Sequence, residues 1–341
     1  MDPNEIVTRV GGGRTAARVL FIGGFGRSGS TLLAHVLGRL PGFCAIGELK
    51  FVWERGLKAN ELCSCGAPFL SCPFWDRVGV EAFGGWEAVD VDEVIFRRRQ
   101  LMRDRLVPAR LLLGLDGARQ KDVDWYARMM GRLVLGVRAA SGSETIVDSS
   151  KLPIDVLLLR RIPDVKPQMI HLVRDSRGVA YSWTKRSLLR PELAGAHYFE
   201  AYGAAHTAVR WVFHNGFFHG LSLGGVPTAF VRYEDLVESP RREIAQALGR
   251  LAVPLPSAAL GELEGEFVET DGFHQIGGNP MRFGGTQPIR LDDEWRTSMR
   301  GRDRWVVSLL TSPLLLAYRY YRTPRGAPRS TTGASDRAPA T

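Results

Sequence analysis

Residues 19–33 read Val19-Leu20-Phe21-Ile22-Gly23-Gly24-Phe25-Gly26-Arg27-Ser28-Gly29-Ser30-Thr31-Leu32-Leu33. An apolar run passes into a glycine-rich turn, and the turn passes into a helical pattern. Glycine permits positive φ and lets the backbone approach a ligand closely. Successive N–H groups of such a turn point inward, and the N-terminus of the next helix adds partial positive charge. The segment therefore reads as an oxyanion cradle between a strand and a helix. Against the pattern G-x-x-x-x-G-K-[ST], Gly24, Gly29 and Thr31 fit, but Ser30 stands where the lysine belongs. A nucleotide triphosphatase needs that lysine on the β/γ-phosphates. Here the cation is Arg27, inside the loop. A P-loop kinase or NTPase, and a non-catalytic polyanion-binding protein, are the alternative readings.

Working outward, Thr145-Ile146-Val147, Met169-Ile170-His171-Leu172-Val173 and Thr228-Ala229-Phe230-Val231 are further short apolar runs, and Phe43 to Ile46 is a fifth candidate. Runs without polar alternation suit strands buried on both faces. Their alternation with helical patterns implies βαβ units. The fold class expected is α/β: a P-loop-like three-layer arrangement, with a central parallel sheet flanked by helices and with helical insertions. Ligands then belong at the carboxyl ends of the strands. One domain is expected over residues 18–322, after a flexible N-terminus (1–17) and before a disordered tail (323–341). A helical insertion at about 51–142 carries Arg97, Arg98, Arg99, Arg103 and Arg105. With a second helical region, Ala194 to Leu223, it is expected to cap the site and shape an acceptor pocket, although its arginines equally suit a solvated face.

A second strand-end loop follows Val173. Arg174 sits just past the strand, Ser182 about two turns into the next helix, and Arg186 one turn later on the same face. A planar guanidinium and a hydroxyl make a reasonable clamp for a phosphate monoester. Val231-Arg232-Tyr233-Glu234-Asp235-Leu236 is another strand-to-helix junction, and Gly277-Gly278-Asn279-Pro280-Met281-Arg282-Phe283 reads as a rigid turn with an exposed cation.

With these motifs the chain resembles the sulfotransferase superfamily that uses 3′-phosphoadenosine 5′-phosphosulfate (PAPS). Its Arg-Ser-Gly wording is nearer the carbohydrate and tyrosylprotein branches than the cytosolic phenol/steroid branch. The resemblance implies PAPS as donor and 3′-phosphoadenosine 5′-phosphate as product. It implies that Gly26, Arg27, Ser28, Gly29, Ser30 and Thr31 hold the 5′-phosphosulfate. Arg174 and Ser182, with Arg186, would take the 3′-phosphate, Tyr233 would lie near the adenine, and Arg282 would reach the 3′-phosphate.

Sulfuryl transfer needs a base for the attacking hydroxyl and cations at the sulfuryl and bridge oxygens; the chemistry requires no metal. Glu48, in Ala45-Ile46-Gly47-Glu48-Leu49, lies in a Gly-Glu context that the tyrosylprotein branch uses for its base. Lys151, in Asp148-Ser149-Ser150-Lys151-Leu152-Pro153, matches a lysine of that branch and replaces the histidine of the cytosolic one. The resemblance thus implies Glu48 as base, with Lys151 and Arg27 as electrostatic stabilisers.

The chain has 341 residues, 45% hydrophobic and 24% charged, which excludes disorder as the dominant state. Its net charge of +9 favours anionic partners without choosing among them. No nucleic-acid motif is recognised, so a hydroxyl-bearing small molecule, glycan, lipid or peptide is the expected acceptor. Acidic Asp2 and Glu5 and the lack of an apolar leader point to the cytoplasm. The run Trp305 to Tyr318 is too short and too interrupted to span a bilayer, and reads as a helix packed on the core. Cys63, Cys65 and Cys72 read as a thiol cluster or disulfide more readily than as a metal site, with Cys44 the only further cysteine. No metal ligand is assigned, and all seven histidines, His274 included, read as structural.

Overall fold

In a computed structural model, the described residues are 16–103, 107–114, 117, 120–185, 197–198, 200–255, 259, 261, 267–283 and 285–321. The expected flexible N-terminus and tail, Arg105 and Arg186 lie wholly or almost wholly outside them.

All five expected strands form: β1 (Ala17–Gly23), β2 (Phe43–Gly47), β3 (Thr145–Asp148), β4 (Val165–Val173) and β5 (Thr228–Arg232). They make one parallel sheet in the order β2-β3-β1-β4-β5. β1 shows why its sequence is continuously apolar. Val19 and Phe21 face one hydrophobic cluster, and Leu20 and Ile22 face another. Successive side chains of a strand point to opposite faces, so a central strand covered on both sides has no polar face to show.

On the Leu20/Ile22 side lie α1 (Ser30–Gly38), α9 (Tyr233–Glu238) and α10 (Pro240–Arg250), contributing residues such as Leu33, Leu236 and Leu248. On the Val19/Phe21 side lie α2 (Pro73–Phe83), α3 (Val91–Arg103), α4 (Val107–Leu112), α5 (Gln120–Ser141) and α6 (Pro153–Leu159). The helices α7 (Ser176–Thr184) and α8 (Ala204–Leu223) connect β4 to β5. An antiparallel pair of three-residue strands, β6 (Phe267–Glu269) with β7 (Thr286–Pro288), precedes α11 (Trp295–Ser298) and α12 (Gly301–Ala317). This pair was not expected, because three residues carry too little periodicity to read.

The insertion reaches the cleft at the carboxyl ends of the strands through Phe51 and Arg55 at its start. It is chiefly a packing layer: Trp53, Trp75 and Tyr126 are buried against the sheet-facing cluster that contains Phe21. Its arginines pair locally, Arg97 with Glu93 and Asp122, and Arg98 and Arg99 with Glu54. As expected, the Trp305 run is helical, with Val307, Thr311 and Leu315 turned inward. Among the described residues no helix is long and apolar enough to cross a membrane.

Candidate functional site

The loops that leave the carboxyl ends of β1, β2, β3 and β4 open onto one cleft of about 660 Å³. That size suits a small-molecule site, for which ~300–1,000 Å³ is usual.

The first wall is the turn after β1. Gly29 precedes α1 with φ 87°, and a Cβ there would stand 2.4 Å from Tyr233 Cδ2. Both the conformation and the space demand glycine. Gly26, Arg27, Gly29, Ser30 and Thr31 line the cleft, and Ser28 is buried beside them. Arg27 itself has φ 69°. Its guanidinium lies over the Trp183 ring at 5.2 Å, and Trp183 Nε1 donates to the Gly26 carbonyl at 3.2 Å. Burial lowers the Arg27 pKa to about 10, against the opposing pull of Glu48.

The second wall meets the first directly. Arg174 Nη1 donates to the Arg27 carbonyl at 3.1 Å, and the Arg174 guanidinium rests on the Tyr233 ring at 4.9 Å. Its Nη2 donates to the Asp292 carbonyl at 2.6 Å and pairs with Asp292 Oδ2 at 3.0 Å. Asp175 caps α7 by accepting from Arg177 N. That helix carries Ser182 to the same cleft. The two anion-binding loops read from sequence are therefore neighbours.

Between them stand a carboxylate and two ammonium groups. Glu48 follows β2, and its N–H donates to the Ile276 carbonyl at 2.7 Å. Lys151 Nζ donates to Glu48 Oε1 at 2.8 Å, and Lys50 Nζ pairs with Oε2 at 2.8 Å. Burial opposes ionisation of Glu48, but Lys151 and Lys50 together outweigh it and hold the carboxyl at about 2. Burial lowers the Lys151 pKa; Glu48 opposes that shift, and Lys50 and Arg27 reinforce it. Lys151 has φ 63°, a left-handed conformation costly for a residue with a Cβ. Asp148 fixes this junction. Its Oδ1 accepts from Leu49 N at 3.2 Å, Ser150 N at 2.9 Å and Ser150 Oγ at 2.6 Å. One buried carboxyl thereby ties the end of β2 to the end of β3. Burial pushes Asp148 up to about 7 against these hydrogen bonds.

One sequence expectation changes. Arg282 is not exposed: it is 1% accessible, folds over the Phe283 ring, and does not line the cleft. The short helical turn Pro280–Phe283 carries its side chain inward, and Gly278, Asn279 and Met281 face the cleft instead. Tyr233 does line the cleft, but as a buried platform. Its hydroxyl donates to the Arg290 carbonyl at 3.2 Å and accepts from Asp292 N at 3.3 Å. Among the aromatic residues, Trp183 lines the cleft with Tyr202 packed on it at 5.1 Å. Trp53 is core, and Trp125 lies under Arg97.

Sequence reasoning missed Lys50, Arg55, Arg210, His214, Arg290 and Asp292, all of which line the cleft. Lys50 was within reach, two positions beyond Glu48. Arg55 comes from the helical turn Val52–Lys58 that follows β2, and the rest arrive from α8 and the C-terminal loops, with no local motif to mark them. Burial, with help from Arg210 and Lys50, lowers His214 to about 4. Cys63, Cys65 and Cys72 come together, and it is His274, not Cys44, that joins them.

No family model matches the chain, and neither does any curated protein. Solved structures that resemble it include sulfotransferases and sulfotransferase domains. One is the sulfotransferase domain from the curacin biosynthetic pathway, 18% identical with a TM-score of 0.48, covering 88% of this chain and 98% of that one. Another is that of the Synechococcus PCC 7002 olefin synthase, at 20% identity and TM-score 0.46, covering 88% and 96%. The sulfotransferase STF9 from Mycobacterium avium is 12% identical at TM-score 0.42, covering 89% and 77%.

Proposed function

We propose that the chain is a sulfotransferase that moves the sulfuryl group of PAPS to an acceptor hydroxyl. The observation that carries this reading is the hydrogen bond from Arg174 to the Arg27 carbonyl, which puts both anion-binding loops on one cleft. The residues suit the donor. The Ser28–Thr31 backbone and the Ser30 and Thr31 hydroxyls offer donors to the 5′-phosphate at the start of α1. Arg174 and Ser182 take the 3′-phosphate, and Asp292 now occupies the Arg174 donors as an anion would. Tyr233, which lines the same cleft, would lie near the adenine. A triphosphatase reading lacks its loop lysine, because Ser30 holds that position.

The acceptor O–S bond forms as the bridging S–O bond breaks, and the electron pair leaves on the phosphate oxygen of 3′-phosphoadenosine 5′-phosphate. Arg27 and Lys151 stabilise the charge on the sulfuryl and bridge oxygens. Glu48 takes the acceptor proton. Clamped by two ammonium groups it is a weak base, so an anionic donor that draws Lys151 toward itself restores the basicity of Glu48. The acceptor is a hydroxyl-bearing small molecule, glycan, lipid or peptide, and the reading places the reaction in a reducing compartment such as the cytoplasm.

Purified protein is expected to bind 3′-phosphoadenosine 5′-phosphate in calorimetry and to transfer label from PAPS to an acceptor panel. Glu48→Gln should retain that binding while losing ~10²–10⁴-fold in turnover. Binding of ATP with Mg²⁺ in preference to the 3′-phosphorylated nucleotide overturns the reading; full turnover by Glu48→Gln overturns the base assignment.

A further inference from the structure

Away from the cleft, the sulfur atoms of Cys63, Cys65 and Cys72 and a ring nitrogen of His274 all lie within 4.8 Å of one another. Cys72 Sγ stands 3.7 Å from both Cys63 Sγ and Cys65 Sγ. His274 Nδ1 lies 3.2 Å from Cys72 Sγ and 3.9 Å from Cys63 Sγ. A tetrahedral zinc with Zn–S of ~2.3 Å and Zn–N of ~2.0 Å has S···S edges near ~3.8 Å and S···N edges near ~3.5 Å. The four distances given lie within about 0.4 Å of those edges, and the sulfur separations lie well beyond the ~2.05 Å of a disulfide bond. Four ligand atoms converge, which is the number a structural site needs.

The surroundings hold these atoms in place. Cys63 to Gly66 is a tight turn: Gly66, at φ 87°, donates its N–H to the Cys63 carbonyl at 2.9 Å. Cys63 N donates to the Ala67 carbonyl at 2.9 Å, closing a loop that lifts Cys65 outward. Cys72 immediately precedes α2, whose first residue is Pro73. The positive end of that helix favours a thiolate there. The His274 ring stacks on Phe74 at 4.9 Å with a 12° interplanar angle, which sets the direction of Nδ1. Cys63 and Cys72 are buried, His274 is half-buried and Cys65 is exposed, so the site closes with one ligand at the surface.

We propose that Cys63, Cys65, Cys72 and His274 form a structural site for a thiophilic divalent metal, zinc being the class that fits three thiolates and one imidazole in a closed tetrahedron. Binding displaces up to three thiol protons and involves no change of oxidation state. Its structural consequence lies in the chain separation of its ligands. Three belong to the insertion, and the fourth comes from a strand-like segment some two hundred residues later. That segment already leans on the insertion: Ser64 Oγ donates to the Phe273 carbonyl at 2.7 Å, and Gln275 N donates to Ser64 Oγ at 2.7 Å. Two residues beyond His274, Ile276 accepts the Glu48 N–H, and Gly278 and Asn279 line the cleft. A metal at the four ligands therefore staples one wall of the cleft to the body of the protein.

The test uses the whole chain, purified under reducing conditions without chelator. Elemental analysis is expected to find about one zinc per chain. Cys65→Ser, at the exposed ligand, should fold and lose most of the metal, while Cys44→Ser, outside the cluster, should keep it. Cobalt added to chelator-stripped protein should give the intense thiolate charge-transfer and tetrahedral ligand-field bands of an S₃N site. Chelation should lower the melting temperature of wild-type protein and leave that of Cys65→Ser unchanged. Wild-type protein that retains no metal and gives only weak octahedral cobalt bands overturns the proposal. So does a disulfide among these cysteines found by alkylation and mass analysis of protein kept under reducing conditions. These readouts involve neither PAPS nor turnover, so they stand or fall apart from the proposed activity.

Discussion

Asp292→Asn should tighten binding of 3′-phosphoadenosine 5′-phosphate. In the structure Asp292 Oδ2 pairs with Arg174 Nη2 at 3.0 Å, on a side chain that is 41% exposed against 7% for Arg174. A 3′-phosphate at Arg174 must displace that carboxylate. Two unit charges 3.0 Å apart attract by ~1.4 kcal/mol at the dielectric constant of water. Exposed pairs deliver ~0.2–1 kcal/mol net once ordering and desolvation are counted. The sheltered Arg174 end argues for the upper part of that range. Removing ~1 kcal/mol of competition corresponds to ~5-fold tighter binding. The asparagine keeps the backbone carbonyl contact at 2.6 Å, so the loop has its main anchor. Calorimetry with adenosine 5′-phosphosulfate, which lacks the 3′-phosphate, separates a local effect from a general one: the gain should vanish for that nucleotide. Asp293→Asn changes the charge equally at the next residue, which pairs with Arg296 instead, and should shift neither affinity. Equal tightening of both nucleotides, or weaker binding of the 3′-phosphorylated one, would refute the placement of that phosphate at Arg174.

Glu48, held at about 2, stabilises the folded chain above its usual carboxylate range and withdraws that stability as pH falls from ~4.5 through ~2. Thermal melts of Glu48→Gln should therefore lack an acid-side decline that wild type shows, and parallel curves would contradict this. Asp148, pushed up to about 7, carries the opposite sign, since its stabilising contribution is lost as pH rises from ~4 through ~7. Asp148→Asn keeps an Oδ1 acceptor, so its melting temperature relative to wild type should be higher at pH ~8 than at pH ~5; a constant difference counts against the assignment. Gly29→Ala places a Cβ at φ 87°, within 2.4 Å of the Tyr233 ring. It should cost ~1–2 kcal/mol or more and weaken nucleotide binding, and a variant with wild-type melting and affinity would show the turn to be slack.

The sheet was legible because its central strand β1 is buried on both faces, which leaves an unbroken apolar run such as Leu20-Phe21-Ile22 in the sequence. The cleft was legible to the same depth. Glu48 and Arg174 directly follow a strand and Arg27 and Lys151 lie in the loop just past one, and a parallel sheet brings the carboxyl ends of its strands together whatever their separation in sequence. What stayed hidden came from elsewhere. Arg282 looked exposed because a Gly-Gly-Asn-Pro turn has no code for the side to which the next residues fold. Asp292 and His274 lie in irregular segments whose partners are 118 and 202 residues away, and no periodicity reports such a meeting.

The cleft carries a charge arrangement that folding alone does not favour. Lys50 and Lys151 pair with one carboxylate, Glu48, and hold it far into its ionised form, while Glu48 in turn pulls the Arg27 pKa upward against burial. Burying cations costs desolvation that a single counter-ion does not repay, and the lowered Arg27 and Lys151 values record that cost. Two of these cations also sit on left-handed backbone: Arg27 and Lys151 are among only five described non-glycine residues with positive φ. Each conformation costs of order 1–3 kcal/mol and persists only where the surroundings over-determine it. Here the surroundings are the Arg174 bond to the Arg27 carbonyl and the Asp148 network beneath Ser150. Strain and desolvation fall on the same two residues, both lining one cleft, which suits the polyanionic donor proposed above, since a ligand with charge at both ends would meet its cations already in place.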